Sequence, residues 1–345
     1  MFLPSPVVSA AWLAEHLDRV QVVDVRWSMT DGPKREAFEA GHIPTAVFAD
    51  LDVDLSSPAG EQGRHPLPSP EDFAAARARL GLVDRPVVAY DDQSGAVAAR
   101  LWWMLDAIGH PAAVLDGGIQ AWTGELDVAT EPASDATPES DEPTNGETAP
   151  DAGAAADAEV EDDPDNDNDN DNVVADAEVE GDPDDVEVDT EAEQVADTDD
   201  DVVPLPEVVA WPTDRFIGAD DVLDAVEAGG VLLDARSHDR FIGTPNDIDP
   251  RPGHVPGARS RPWTDNVGPD GRLLPVELLR AGLSSLGVEP GSEILASCGS
   301  GVTGCHDLLV ARLIGLEGGR LYAGSWSEWA LDPDRPVATG NGERT

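Results

Sequence analysis

The chain has 345 residues, with 70 Asp and Glu against 21 Lys and Arg and a formal net charge of −49. That length accommodates two domains and a linker, and that charge argues against nucleic acid or an anionic membrane surface as a partner. Its two cysteines, Cys298 and Cys305, build neither a disulfide framework nor a zinc site, so no metal is expected.

The acidic excess is not confined to one tail. Residues 131–201 hold 30 acidic residues and no Lys or Arg, yet the remaining 40 acidic residues still outnumber the 21 basic ones. Acidic domains of this kind suggest adaptation to high salt, where repulsion between carboxylates is screened. The opening Met1-Phe2-Leu3-Pro4-Ser5-Pro6 lacks the basic and apolar regions of a signal peptide. No apolar run has the length of a membrane span, so the expected location is the cytoplasm.

Taken in order, the first half opens with Val22-Val23-Asp24-Val25-Arg26. Short β-branched runs of this type read as buried parallel strands, here closed by an Asp–Arg pair that fixes loops. Gly41-His42-Ile43-Pro44 reads as a turn starting a short strand, with a structural histidine. The segments Phe48-Ala49-Asp50-Leu51-Asp52 and Arg64-His65-Pro66-Leu67-Pro68 follow. Helical spacing over Pro70–Leu80, a strand at Val87–Asp91, and helical spacing over Gly95–Ile108 continue the alternation. Strands alternating with amphipathic segments indicate an α/β fold. Trp102 and Trp103 read as packing residues.

Residues 127–209 break the pattern. They carry the tract Asp165-Asn166-Asp167-Asn168-Asp169-Asn170-Asp171-Asn172, an imperfect duplication, no aromatic residue and charge of one sign. Such a segment cannot bury a core and is expected to be a disordered, acidic linker. Its Asp spacing lacks the central glycine and terminal glutamate of a calcium loop.

The second half then repeats the first. Leu232-Leu233-Asp234-Ala235-Arg236 matches Val22–Arg26, Gly253-His254-Val255-Pro256 matches Gly41–Pro44, and Ile294-Leu295-Ala296-Ser297-Cys298 matches Val87–Asp91. Leu321–Trp329 matches Val114–Trp122. The expected division is 1–126, 127–209 and 210–340. Cys298 therefore stands at the carboxyl end of a strand, on the loop Cys298-Gly299-Ser300-Gly301-Val302-Thr303 that opens a helix. Inward backbone N–H groups and the helix dipole favour a thiolate there, and the thiolate is the nucleophile. In the first half Asp91 takes the matching position, and a carboxylate does not replace a thiolate nucleophile. Cys305 reads as a small core residue.

The loop Cys-Gly-Ser-Gly-Val-Thr resembles that of the 3-mercaptopyruvate sulfurtransferases of the rhodanese superfamily. The resemblance covers roughly residues 5–126 and 210–338. It implies two tandem rhodanese-like domains, each a small parallel sheet with helices on both faces, the first one catalytically silent. It also implies a persulfide on Cys298, with Gly299, Gly301, Val302 and Thr303 around the substrate. Ser300, Asp52 and His65 match a polarising relay, and Arg240 and Arg251 match arginines that bind the donor. Neutral residues after Cys298 favour 3-mercaptopyruvate over thiosulfate. The acceptor would be a thiol, cyanide or a thioredoxin-like protein, and no cofactor is implied. Phosphatases of this superfamily place an arginine six residues after the cysteine, where this chain has Gly304. A sulfur carrier with little turnover is the alternative from a different class.

Overall fold

The β-branched runs form short strands, and their repetition in sequence becomes a repetition in space. The computed structural model describes residues 3–82, 84–128 and 206–341. In the first half, β1 (Val7–Val8), β2 (Gln21–Asp24), β3 (Trp27–Ser28), β4 (Gly32–Pro33), β5 (Val47–Phe48), β6 (Val87–Tyr90) and β7 (Ala112–Leu115) appear in chain order. Five of them make a parallel sheet in the order β1-β7-β6-β2-β5, while β3 and β4 form a separate hairpin. In the second half β8 (Val231–Asp234), β9 (Arg259–Ser260), β10 (Ile294–Ser297) and β11 (Arg320–Leu321) make a parallel sheet in the order β11-β10-β8-β9. Phe216 bridges Leu321 in parallel, in the place that β1 takes beside β7.

The register equates the halves residue by residue. Asp24 lies opposite Tyr90 on β6, and Asp234 lies opposite Ser297 on β10, so the next residues, Asp91 and Cys298, leave equivalent strand ends. The Asp–Arg pairs recur as well. Arg26 Nε donates to both Asp24 oxygens and its Nη2 to Gly41 O; Arg236 treats Asp234 and Gly253 O in the same way. His42 and His254 each bond a main-chain carbonyl through Nδ1 and stack on Phe38 and Phe241. Both histidines are structural.

Helices α1 (Ala10–Ala14), α2 (Arg35–Ala40), α3 (Leu51–Asp54), α4 (Pro70–Arg79) and α5 (Ala98–Ala107) belong to the first half. The second contributes α6 (Ala219–Glu227), α7 (His238–Ile242), α8 (Val276–Ser285), α9 (Gly304–Leu313) and α10 (Ser325–Trp329). The buried faces of α5 and α9 pack against each other, so one apolar core runs through both halves. Trp102 and Trp103 are buried in it, and the Arg215 guanidinium lies 4.1 Å over the Trp103 ring. Apolar burial at roughly 25 cal/mol per Å² makes such a shared core the main force holding the halves together.

Two differences from the sequence pattern bear on the site. Helical spacing begins at Gly95, but α5 begins at Ala98, because residues 91–97 wrap around the Asp91 carboxylate. Ser325 has φ of 52°, an unfavourable region for a residue with a side chain. The expected disorder of the acidic insert, residues 127–209, falls outside the described residues apart from 127–128 and 206–209. No helix among the described residues is long and apolar enough to cross a membrane.

Candidate active site

Cys298 follows β10, and its sulfur lies in a cradle of main-chain groups. Gly301 N–H and Ser300 N–H point at Sγ from 3.1 and 3.4 Å. Such inward N–H groups complement an anionic sulfur. Behind the loop, Cys298 N–H donates to Ser325 Oγ at 3.0 Å, and the first N–H groups of α10, on Trp326 and Ser327, bond the carbonyls of Cys298 and Gly299. The strained φ of Ser325 is thus located where it braces the cysteine.

The two loop glycines serve different ends. Gly301 has φ of +75°, and a Cβ there would stand 2.2 Å from Ala323 O, so no other residue fits. At Gly299 the backbone is unexceptional; a Cβ would instead meet Arg64 Nη2 at 2.8 Å and Arg240 Nη2 at 3.0 Å. Its missing side chain leaves room for two guanidinium groups beside the sulfur.

Those groups line a cavity of about 370 Å³ with Cys298 in its wall. The first half contributes Trp27, Arg64 and His65, and the second contributes Arg236 and Trp263. Arg240 makes a two-point contact with Asp249, 2.9 Å from Nε and 2.5 Å from Nη2, and Arg236 meets the same carboxylate at 3.3 Å. Burial pushes the Asp249 carboxyl up, but the hydrogen bond and charge of Arg240, with Arg236 and Arg64, outweigh it and hold it below the usual range. Arg64 is less satisfied. Its Nη1 donates to Ile248 O at 3.1 Å, while its buried Nη2 has no hydrogen-bond partner. A buried guanidinium edge with no partner is a site for an anionic ligand group.

A second chain of contacts reaches the loop from the first half. Ser300 Oγ is 2.8 Å from His65 Nδ1, and His65 Nε2 is 3.2 Å from Asp52 Oδ1. Trp27 Nε1–H donates to Asp52 Oδ2 at 2.9 Å, and its ring meets His65 edge-on. An ionised Asp52 only accepts, which assigns the imidazole proton to Nε2 and leaves Nδ1 to accept from the Ser300 hydroxyl. Burial, followed by the charge of Arg100, pushes His65 down to about 4.

The structure therefore brings Cys298, Gly299, Ser300, Val302, Thr303, His65 and Arg240 to one cavity, with Asp52 behind His65 and Gly301 beneath the sulfur. It does not bring Arg251 there. That side chain turns to the end of α10 and donates to the carbonyls of Ala330, Trp329 and Asp332 at 3.1, 3.2 and 2.7 Å. Helix C-termini carry orphan carbonyls and negative potential, which a guanidinium satisfies. The donor-binding expectation for Arg251 is thus corrected: it is a helix cap, because the orphan carbonyls at the end of α10 hold its guanidinium away from the cavity. Arg64 is the arginine that the sequence reading left without a role. Its signal was its place directly before His65 in a chain where 70 acidic residues face 21 basic ones.

The first-half loop repeats the cradle around a different group. Asp91 Oδ1 accepts from the N–H groups of Gln93 and Gly95, both at 2.8 Å, and Oδ2 accepts from Val97 and Ala98 at 2.7 and 2.9 Å. Burial pushes this carboxyl up, and the four donors pull against it. Cys305 is also buried. Desolvation pushes its thiol up to about 12, and Sγ donates to Gly301 O at 3.4 Å, so it is a neutral core residue.

Comparison with known proteins identifies the family. The rhodanese-like domain family matches residues 9–125 and 218–332. A Pseudomonas aeruginosa protein named "Probable 3-mercaptopyruvate sulfurtransferase" is 38% identical over 97% of this chain and 98% of its own length. An Arabidopsis thaliana "Thiosulfate/3-mercaptopyruvate sulfurtransferase 2" is 30% identical over 96% of this chain and 86% of its own. The crystal structure of SseA from Escherichia coli, described as a 3-mercaptopyruvate sulfotransferase, superposes with a TM-score of 0.63 at 28% identity, covering 94% of this chain and all of that one.

Proposed function

This chain belongs to the rhodanese-like family and is a sulfurtransferase of the kind that works through a cysteine persulfide; from that premise we propose that it takes sulfur from 3-mercaptopyruvate onto Cys298. On this reading residues 1–126 are the silent half, 127–209 the linker and 210–340 the catalytic half. The observation that carries the choice of donor is the unpartnered Nη2 of Arg64, which faces Gly299 beside Arg240. Among the guanidinium groups that line the cavity, Arg240 and Arg236 are largely neutralised by Asp249 and Asp234, so Arg64 provides the uncompensated charge. One such charge suits the single carboxylate of a keto acid better than a compact dianion.

The Cys298 thiolate attacks the sulfur of the donor. The new S–S bond forms as the C–S bond breaks, and the electron pair passes to the enolate of pyruvate. The proton of the donor thiol passes through Ser300 to His65 Nδ1 and returns to the enolate, giving pyruvate. The loop N–H groups stabilise the persulfide anion. A thiol, cyanide or thioredoxin-like acceptor then attacks the outer sulfur and releases the Cys298 thiolate. The acidic character of both halves supports work in a high-salt cytoplasm.

The test is steady-state sulfur transfer to cyanide in high salt with each donor. The expected result is a higher kcat/KM for 3-mercaptopyruvate, with Arg64→Met raising its KM about tenfold through loss of the charged contact. A preference for thiosulfate would overturn the donor assignment and leave the enzyme class standing. Persulfide formation without turnover would favour the carrier.

The protonation state of His65 gives a second prediction. The proton-accepting role needs a neutral ring, and the His65 C2–H resonance is expected to titrate with a midpoint of about 4. Between about 4 and the ordinary 6.5 the unfolded chain binds this proton and the folded chain does not. This group's contribution is therefore complete above 6.5 and is lost as pH falls toward 4. A midpoint above about 8 would leave the ring protonated at neutral pH and overturn the neutral relay.

A further inference from the structure

Arg100 lies on α5 of the half that has no cysteine, and it is completely buried. Among the described residues it has no carboxylate partner. Its Nη1 donates to Gly301 O at 2.9 Å, and its Nη2 reaches the carbonyls of Leu55, His65 and Pro66 at 3.3, 3.2 and 3.4 Å. Its Nε has no partner. Its favourable charge interactions are with the sulfurs of Cys298 and Cys305, not with a carboxylate; a cation buried in this way is costly, and an apolar side chain of similar length fills such space at lower cost. Retention of the guanidinium therefore needs a reason in what it holds.

What it holds are the two sides of the site. Gly301 presents its N–H to the Cys298 sulfur and its carbonyl to Arg100, so the loop is gripped front and back. The same planar cation bonds the main chain of His65, whose ring bonds Ser300 Oγ. Resting on the proposed roles of Cys298, Ser300 and His65, we infer that Arg100 is a positioning residue for sulfur transfer. It fixes the sulfur loop against the relay histidine and sets a positive charge beneath both.

That charge has a readable effect. The charged groups acting on His65 are Arg100 from α5, Asp52 from α3 and Arg64 from its own segment; Ser300 from the sulfur loop and the Trp27 ring from the β3 strand also face it. After burial, Arg100 is the strongest influence keeping the imidazole unprotonated; Asp52 opposes it and Arg64 adds to it. A role limited to packing would not act on this titration.

The experiment follows the His65 C2–H resonance against pH in the full chain, assigned by its loss in His65→Gln, together with steady-state transfer from 3-mercaptopyruvate. Arg100→Gln is expected to raise the His65 midpoint by about one pH unit. It should also lower kcat about tenfold or more, with KM within about twofold. Arg100→Lys keeps the charge but cannot span both sets of carbonyls, so kcat falls while the midpoint stays in place. An unchanged midpoint in Arg100→Gln overturns the inference. Should that variant not fold, Arg100→Lys supplies the answer: an ammonium cannot span both sets of carbonyls, so kcat at the wild-type level in that variant overturns the inference. A shifted midpoint in an enzyme that does not turn over 3-mercaptopyruvate would uphold the charge coupling and remove the donor assignment alone.

Discussion

Cys298→Ser is expected to abolish sulfur transfer from both donors, to about a thousandth of wild type or less, because a serine hydroxyl forms no persulfide and is a far weaker nucleophile. The substitution is nearly isosteric, and Ser Oγ accepts from the same Gly301 and Ser300 N–H groups that now face Sγ. Stability should therefore change by no more than about 1 kcal/mol. Cys305 cannot take over. It is buried, its thiol is pushed up to about 12, and its hydrogen is directed to Gly301 O. Mass spectrometry after incubation with donor distinguishes the cases: wild type gains one sulfur atom and the variant gains none. A variant that still gains sulfur would place the nucleophile elsewhere.

Asp91→Ala is the substitution with the largest expected effect on stability. Four main-chain N–H groups converge on one buried carboxylate, and removing it leaves all four without acceptors. Partly relaxed, that loss is on the order of 4 kcal/mol, since each buried unsatisfied group costs about 1–3 kcal/mol. Asp91→Asn should be only slightly milder, because its amide would direct N–H against N–H. The damage extends to the site. Gln93, Ala96 and Val97 belong to this loop and line the cavity, and Gln93 Nε2 holds Trp27 O at 2.5 Å. Denaturant titration of both variants checks the prediction, and a loss below about 1 kcal/mol would show that the loop does not depend on its internal anion.

Asp91 also shows how the two halves diverged in chemistry while retaining geometry. Each strand end feeds a cradle of N–H groups. One cradle is filled permanently by a carboxylate, while in the other the groups face a sulfur. On the proposed reading the first half is silent as a catalyst, and its His65, Asp52, Arg64 and Arg100 complete the site.

Several of these features were legible in the sequence because they are local. The strand–loop–helix around Cys298, the repeated Asp–Arg strand ends and the Gly-His-Xaa-Pro turns depend on backbone preferences over a few residues. Helical spacing located α4 and α5 to within a few residues. The family resemblance brought Ser300, His65 and Asp52 together on paper, and the structure puts them in one chain of contacts.

The arginines were not legible in the same way. Arg240 reaches the cavity and Arg251 does not, although both lie near the same turn. A guanidinium sits at the end of a long flexible side chain, and its partner is chosen by whichever unsatisfied carbonyl or carboxylate the fold brings within reach. For Arg251 that partner is the end of α10, almost 80 residues away in the chain. Arg64 reaches Ile248 and Arg100 reaches Gly301 across comparable or greater separations. Thus local pattern by itself determined the two-domain α/β architecture, the position of the sulfur-bearing loop and the absence of a cysteine from the first half. Only the tertiary structure decided which cations face the sulfur, which cap a helix and which stay buried between the halves. Those choices depend on electrostatic and hydrogen-bond satisfaction across the packed interface, which no short window of sequence contains.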